Sequence, residues 1–406
     1  MKKKLKILLS AYACEPNIGS EQEVAWMLAN SLSQNGHDVS VITRLSNKKA
    51  IEKSMLKKKL KINFIYFDYP NWILNIISRK GKRNFLSFLY FFLWQVGIFF
   101  AIKPYLKKIK FDYIHHVTYV TFRYPSFLSL YKIPFIFGPL GGGEKSPSKL
   151  RKDFTFVEKI IEYMRDVSNF YCKFSPTINL TYLNSFKILT TTEESRKIVP
   201  SIYHKKTSVL QAIGVEKFLI KKFVKKKKKK PITICYAGRF LSWKGLHIIL
   251  KTFSIINKKR KDINLVLIGD GPIKNVLKKK VRELNIDKNV VFTGPIKRNK
   301  VFNYFKQSHI IFYPSLRDSG GFVVLEGMRY SVIATCNLGG PGHIANKRCA
   351  IVEEAIGKDQ NEISKSFAKS IINLIDNKKL YNIKRLNSLK TLSKYTMDKK
   401  IKKIYS

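Results

Sequence analysis

In the second half of the chain, glycine and a charged residue recur together at the ends of short apolar runs. Ile232–Ala237 is followed by Gly238-Arg239 and then by Lys244-Gly245. Leu265–Ile268 ends in Gly269-Asp270-Gly271-Pro272, and Val290–Thr293 ends in Gly294-Pro295. His309–Tyr313 runs into Pro314-Ser315-Leu316-Arg317-Asp318-Ser319-Gly320-Gly321, with Glu326 inside the helix expected next. Such a set suits the grip of a phosphorylated sugar. Gly320 and Gly321 let backbone approach a ligand closely, and the helix start presents unpaired N–H groups to an anion. Arg239 and Lys244 are cations fit to neutralise a diphosphate, and Glu326 is an acceptor fit for ribose hydroxyls. Taken singly, each reads as an ordinary turn or a surface charge. Four strand ends with one signature carry more weight, because open parallel sheets bind ligands beyond the carboxyl ends of their strands.

Those ends need sheets to hold them. Lys4–Ala11 is an apolar run of the kind buried in a parallel sheet. Glu21–Asn35 follows with helical spacing of Val24, Met27, Leu28 and Leu32. Asp38–Thr43, Ile62–Phe67, Phe111–His115, Phe135–Phe137 and Phe186–Thr191 read as further strands. After the lysine run Val224–Pro231 the alternation restarts. Strands at Ile232–Ala237, Leu265–Ile268, Val290–Thr293, His309–Tyr313 and Val332–Thr335 are interleaved with helices at Gly245–Asn257, Ile273–Leu284 and Gly321–Arg329. The pattern predicts an α/β protein with two doubly wound, Rossmann-like parallel sheets. An N-terminal domain is expected over residues 1–215, a Lys-rich linker over 216–230 and a C-terminal domain over 231–390, with a terminal helix over 391–406 packing back on the first domain. Neither half carries GxGxxG after its first strand, which disfavours a nicotinamide dehydrogenase.

Composition narrows the classes. Lys+Arg 77 against Asp+Glu 27 gives a net charge of +50, which suits an anionic partner. No zinc finger, helix-turn-helix or RNP-like aromatic pair accompanies it, so no specific nucleic acid is expected. The charge instead points to an anionic membrane surface, or to a compositional bias. Five scattered cysteines (Cys14, Cys172, Cys235, Cys336, Cys349) form no CxxC, which excludes a disulfide framework and a structural zinc site. The basic N-terminus runs straight into a strand and does not read as a signal peptide. Phe85–Ile102 is uncharged and, as a helix, reaches only the lower edge of bilayer thickness. Strands on both sides must join one sheet, so a buried or interfacial helix is expected there and not a membrane span.

Jointly the motifs resemble glycosyltransferase family 4 (glycosyl transferases group 1), of the GT-B fold, over nearly the whole chain. Residues 238–245 (GRFLSWKG), 265–272 (LVLIGDGP), 291–296 (VFTGPI), 314–328 (PSLRDSGGFVVLEGM) and 339–342 (GGPG) carry the likeness in the second half. Residues 10–21 (SAYACEPNIGSE), 115–127 (HHVTYVTFRYPSF) and 138–144 (GPLGGGE) resemble a bacterial surface-polysaccharide subgroup. The resemblance implies two domains facing a central cleft, an acceptor-binding one first and a nucleotide-sugar-binding one second. It implies that Arg239 and Lys244 hold the donor diphosphate in place of a metal. Glu326 matches the second glutamate of E-x7-E, at the ribose; Asp318 stands where the first is expected, near the donor sugar, and Ser319 lies beside it. Gly19 matches a glycine loop beside the donor phosphate. His115 or His116 matches the histidine region facing the sugar, and Gly142 and Glu144 fall on the acceptor side.

Two positions depart from the family pattern: Asp318 is one methylene shorter than glutamate, and Trp243 replaces the usual glutamate before the lysine. The activity implied is retaining, metal-independent transfer from a nucleotide sugar such as a UDP- or GDP-sugar, with no further cofactor. The acceptor expected is a glycan or lipid-linked saccharide precursor of a bacterial surface polysaccharide. The place of action expected is the cytoplasm or the inner face of its membrane. The rival readings are a GT-B sugar-nucleotide epimerase or hydrolase and, further off, a basic nucleic-acid-binding protein.

Overall fold

The computed structural model describes residues 4–16, 18, 20–58, 60–73, 85–119, 121–216, 220 and 231–406. It divides into two compact units. The first comprises Met1–Gly143, Val167–Ala212 and Met397–Ser406; the second comprises Glu144–Asp166 and Ile213–Thr396. The expected single block 1–215 therefore needs correction, since Glu144–Asp166 groups with the later unit. The charged side chains of that segment explain why: they pair there, as described below. The linker expected at 216–230 lies outside the described residues except for 216 and 220.

The first unit is built on a seven-stranded parallel sheet. Its strands are β1 (Lys6–Ser10), β2 (Asp38–Thr43), β3 (Ile62–Tyr66), β4 (Tyr113–His116), β5 (Phe135–Leu140), β6 (Ser185–Thr190) and β7 (Thr207–Val209). Their order is β3-β2-β1-β4-β5-β6-β7. Runs such as KILLS and DVSVIT are buried on both faces, as helices on each side of a parallel sheet require. The helix Phe85–Ala101 supplies much of that cover. Within it Tyr90, Phe91, Trp94 and Ile98 sink into the core, and the Trp94 indole N–H donates to the Phe67 carbonyl at 2.9 Å. The run Phe88–Lys108 is long and apolar enough to cross a membrane, yet this face of it is packed inside the unit.

The terminal helix begins later than 391: Lys378–Leu392 ends in a tight turn, and the helix Met397–Tyr405 belongs to the first unit. There Lys187 Nζ donates to the carbonyls of Ile404 (2.8 Å) and Lys403 (3.3 Å). The buried Lys400 ammonium bonds the Ala212 carbonyl.

The second unit carries six parallel strands, β8 (Ile232–Ala237), β9 (Ile263–Ile268), β10 (Val290–Gly294), β11 (Ile310–Phe312), β12 (Val332–Cys336) and β13 (Ala350–Glu353). Their order is β10-β9-β8-β11-β12-β13. Each sheet therefore reverses its winding beside its first strand, between β1 and β4 and between β8 and β11. At such a reversal the crossover helices leave on opposite faces and open a crevice at the strand ends.

Candidate active site

The crevice of the second unit is lined by the two loops that follow β8 and β11. Their backbones are tied together, Leu316 N–H donating to the Trp243 carbonyl at 2.8 Å. Gly245 makes this approach possible: its φ of 75° is left-handed, and a Cβ there would stand 2.2 Å from the Pro314 carbonyl oxygen. Further on, Gly340 N–H donates to the Asp318 carbonyl at 2.6 Å, and a Cβ on Gly340 would collide with the Gly320 carbonyl oxygen at 1.8 Å. The loop from Pro314 to Gly321 is thus seated on the Gly339–Gly342 turn and held there by backbone.

At the centre Lys244 Nζ donates to Asp318 Oδ2 at 2.6 Å and to the Tyr313 hydroxyl at 2.9 Å, while that hydroxyl donates to Asp318 Oδ2 at 2.6 Å. Both charged side chains are largely sheltered, with 15% and 23% of their surface exposed. Burial pushes the Asp318 carboxyl upward. The Lys244 charge and hydrogen bonds from Lys244, Tyr313 and Ser315 outweigh burial, and the net shift is below the usual carboxylate value. Asp318 is held as an anion. Arg239 is different: its side chain is exposed, and its carbonyl accepts from the Tyr236 hydroxyl at 2.9 Å. Gly238 and Gly294 end their strands as expected, and a Cβ on Gly294 or Gly320 would meet nothing within 4 Å. Room is left open at both places.

Glu326 lies in the helix Phe322–Met328, with Arg298 closing on it at 2.9 Å from Nε and 2.5 Å from Nη2 to Oε1. Arg298 was not singled out in the sequence, where it is one cation among many. The Trp243 departure also acquires a reason: the Arg317 guanidinium lies 4.2 Å over its ring. Arg317 Nε pairs with Glu162 Oε1 at 2.6 Å, and burial pulls the Arg317 pKa down to about 10. Glu144, placed on the acceptor side by resemblance, instead accepts a hydrogen bond from the Ser319 hydroxyl within the second unit. There it braces the loop that carries Asp318.

In the first unit, both histidines end β4 and both are buried. His115 Nε2 bonds the Gly138 carbonyl at 2.8 Å and so must be the donor; its Nδ1 then accepts from the Tyr405 hydroxyl at 2.7 Å. His116 Nδ1 bonds the Ser126 hydroxyl at 3.1 Å, and its ring meets those of Phe91 and Phe137 edge-on. Burial drives both pKa values down to about 3, leaving neutral rings. Contact with a sugar would require these internal bonds to break. Gly142, with φ 102°, offers its carbonyl to the Asn169 amide at 3.2 Å. Gly19 lies outside the described residues. Among the described residues no cluster of three or more His, Cys, Asp or Glu side chains is placed to hold a metal ion.

Comparison with known proteins agrees with this architecture. The family described as Glycosyl transferases group 1 matches residues 218–390. An uncharacterised glycosyltransferase of Haemophilus influenzae is 28% identical over 198 residues, which is 48% of this chain and 53% of that one. The chain spans about half, or less, of the length of this relative and of two further glycosyltransferases it matches. The solved structure of WaaG, a glycosyltransferase involved in lipopolysaccharide biosynthesis, superposes with a TM-score of 0.60 at 14% identity, covering 98% of this chain and 100% of that one. Anabaena Alr3699/HepE, solved in complex with UDP, gives 0.64 at 12% identity over 98% of both chains. At these identities the likeness concerns the fold, which is GT-B.

Proposed function

Since residues 218–390 match the family described as Glycosyl transferases group 1, we propose that the chain moves a sugar from a nucleotide-sugar donor to a saccharide acceptor. The reaction retains anomeric configuration and needs no metal. The observation that carries this reading is the Lys244–Asp318–Tyr313 cluster at the β8/β11 reversal, with Glu326 one helix away. An ammonium has three protons to donate. Lys244 uses two on Asp318 and Tyr313, which leaves the third for a donor phosphate oxygen.

As the bond from the anomeric carbon to the diphosphate oxygen breaks, the electron pair passes to that oxygen. Lys244 and the exposed Arg239 then meet charge that grows in the transition state, where a preorganised cation contributes most. The acceptor hydroxyl adds to the same face of the anomeric carbon and gives its proton to the departing diphosphate. Glu326 accepts from the ribose hydroxyls once Arg298 yields, and Asp318 receives hydroxyls of the transferred sugar. The donor is a UDP- or GDP-sugar; the Anabaena structure with UDP supports the first. The acceptor is a lipid-linked precursor of a bacterial surface polysaccharide, worked on at the cytoplasmic face of a membrane. WaaG's part in lipopolysaccharide synthesis and the net charge of +50 support this choice.

A panel of nucleotide sugars tests the donor half directly, because a ligand bound only by the folded state raises the melting temperature by mass action. One member of the panel is expected to stabilise the protein, and nucleotide release is expected to require a saccharide acceptor. Free sugar released equally fast without acceptor would assign a hydrolase or epimerase instead. A panel without any stabilising member would remove the reading.

A further inference from the structure

The helix Phe156–Tyr171 is folded inside out. In most surface helices the apolar stripe packs inward and the charges face water. Here the carboxylates turn inward within the second unit. Glu158 Oε2 accepts from the Ser242 hydroxyl at 2.7 Å, Glu162 is 1% exposed and paired with Arg317, and Asp166 pairs with Arg151 at 3.4 Å. Arg165 donates to the Glu144 carbonyl at 2.7 Å. What the helix offers to the outside is Phe156, Val157, Ile160, Ile161, Tyr163 and Met164, with Phe156 78% and Met164 64% exposed. The spacing 156, 160, 164 and 157, 161 makes this one continuous stripe.

We infer that this stripe is a membrane-docking surface whose occupant is a bilayer bearing anionic headgroups. Exposed apolar area of this extent on one element marks an interaction site. The exposed charges of the same segment select the occupant. Within Glu144–Asp166 the exposed charged residues are Lys145, Lys149, Lys152 and Lys159 against a single exposed carboxylate, Asp153. An apolar stripe on a segment whose exposed charges are four lysines and one carboxylate suits a helix lying in the plane of an anionic interface, its apolar face in the acyl boundary. A second copy of the chain would bring the same lysines against each other. The inference rests on the reading that the acceptor is met at a membrane, and it names the element that meets it. Glu162 ties the stretch Phe156–Met164 to Arg317, so the docking face and the sugar-nucleotide loop both belong to the second unit.

The test is co-sedimentation of the full chain with vesicles of phosphatidylcholine, with and without phosphatidylglycerol, at low and high salt. No sugar donor or acceptor is present, so the result is independent of transfer activity. The expected outcome is binding to the phosphatidylglycerol vesicles that weakens with salt, and at least a ten-fold loss in the double variant Ile160→Glu/Met164→Glu. Both positions are exposed, so circular dichroism and melting temperature should match the parent. Parent and variant binding equally well would overturn the role of this helix and leave membrane action standing. No vesicle binding by the parent would overturn both. A parent dimer that the variant splits, with vesicle binding unchanged, would assign the stripe to a second copy and overturn the lipid occupant.

Discussion

The ends of β4 and β11 occupy the same station in two sheets of like winding, yet they hold ionisable residues in opposite states. At the end of β4, His115 and His116 are sealed among aromatic rings and backbone carbonyls and stay neutral. Beyond the end of β11, Tyr313 and Asp318 meet Lys244 in a cluster whose charges survive burial because they face each other. Topology supplies a crevice in each case; what fills it decides whether chemistry is available. A neutral, fully bonded imidazole has no donor or acceptor left for a substrate, whereas the ammonium of Lys244 has one proton unspent. Ionised groups with partial solvent access are the ones that can exchange an internal partner for a ligand.

The sharpest way to break this contrast is Lys244→Ala. Loss of one preorganised donor to a developing oxyanion lowers turnover by roughly 10²–10³-fold, and sugar-transfer kinetics on a variant with native circular dichroism measures it. An unchanged rate would end the role of the cluster. Next in size is Glu326→Gln. A hydrogen bond to a charged group contributes about 1.5–3 kcal/mol, so donor affinity should weaken by roughly ten- to a hundred-fold. Titration calorimetry with the stabilising nucleotide sugar reads this out.

The smallest effect on rate, and the one that sharpens the other half of the contrast, is expected from His115→Phe. It should lower the melting temperature by several degrees, since the Gly138 carbonyl and Tyr405 hydroxyl lose their partner, at a cost of about 1–3 kcal/mol. Turnover should change little; a hundred-fold loss at an unaltered melting temperature would restore a sugar-facing histidine. The same side chains fix a pH dependence. Both rings sit at about 3 in the folded state against 6.5 ordinarily, so between those values the unfolded chain binds more protons. This contribution is complete above about pH 6.5 and is lost as pH falls toward 3. Lys400, pulled by burial to about 7 from 10.5, adds the same sign at higher pH: stability is lost as pH falls from 10.5 to 7. Melting curves from pH 5 to 9 should climb throughout, and less steeply near pH 5 in the histidine variant.

Buried parallel strands announce themselves, and Asp38–Thr43 and Ile232–Ala237 have the bounds their apolar runs predict. The strands that close each sheet were missed. Thr207–Val209 and Ala350–Glu353 are too short to show a pattern of their own. The helix Phe156–Tyr171 was illegible for the opposite reason: the ordinary rule of apolar side inward runs backwards there, because Glu162 answers Arg317, Asp166 answers Arg151 and Glu158 the Ser242 hydroxyl. The glycine-and-charge loops gave away Lys244, Asp318 and Glu326. They could not give away Arg298, Arg317 as the cation over Trp243, or the partnership of Glu144 with Ser319, all of which arise from packing between distant segments. Either His115 or His116 was expected to face the sugar, and nothing local could have disclosed the partner of His115, 290 positions along.

That distance bears on how the protein is made. The first unit is completed by Met397–Ser406, and Ala212 and His115 wait for Lys400 and Tyr405, made 188 and 290 residues later. A chain ending at Thr396 therefore holds every segment of the second unit while the first lacks its closing helix. A released chain truncated before residue 397 is expected to show a protease-resistant second unit and a more readily cleaved first one.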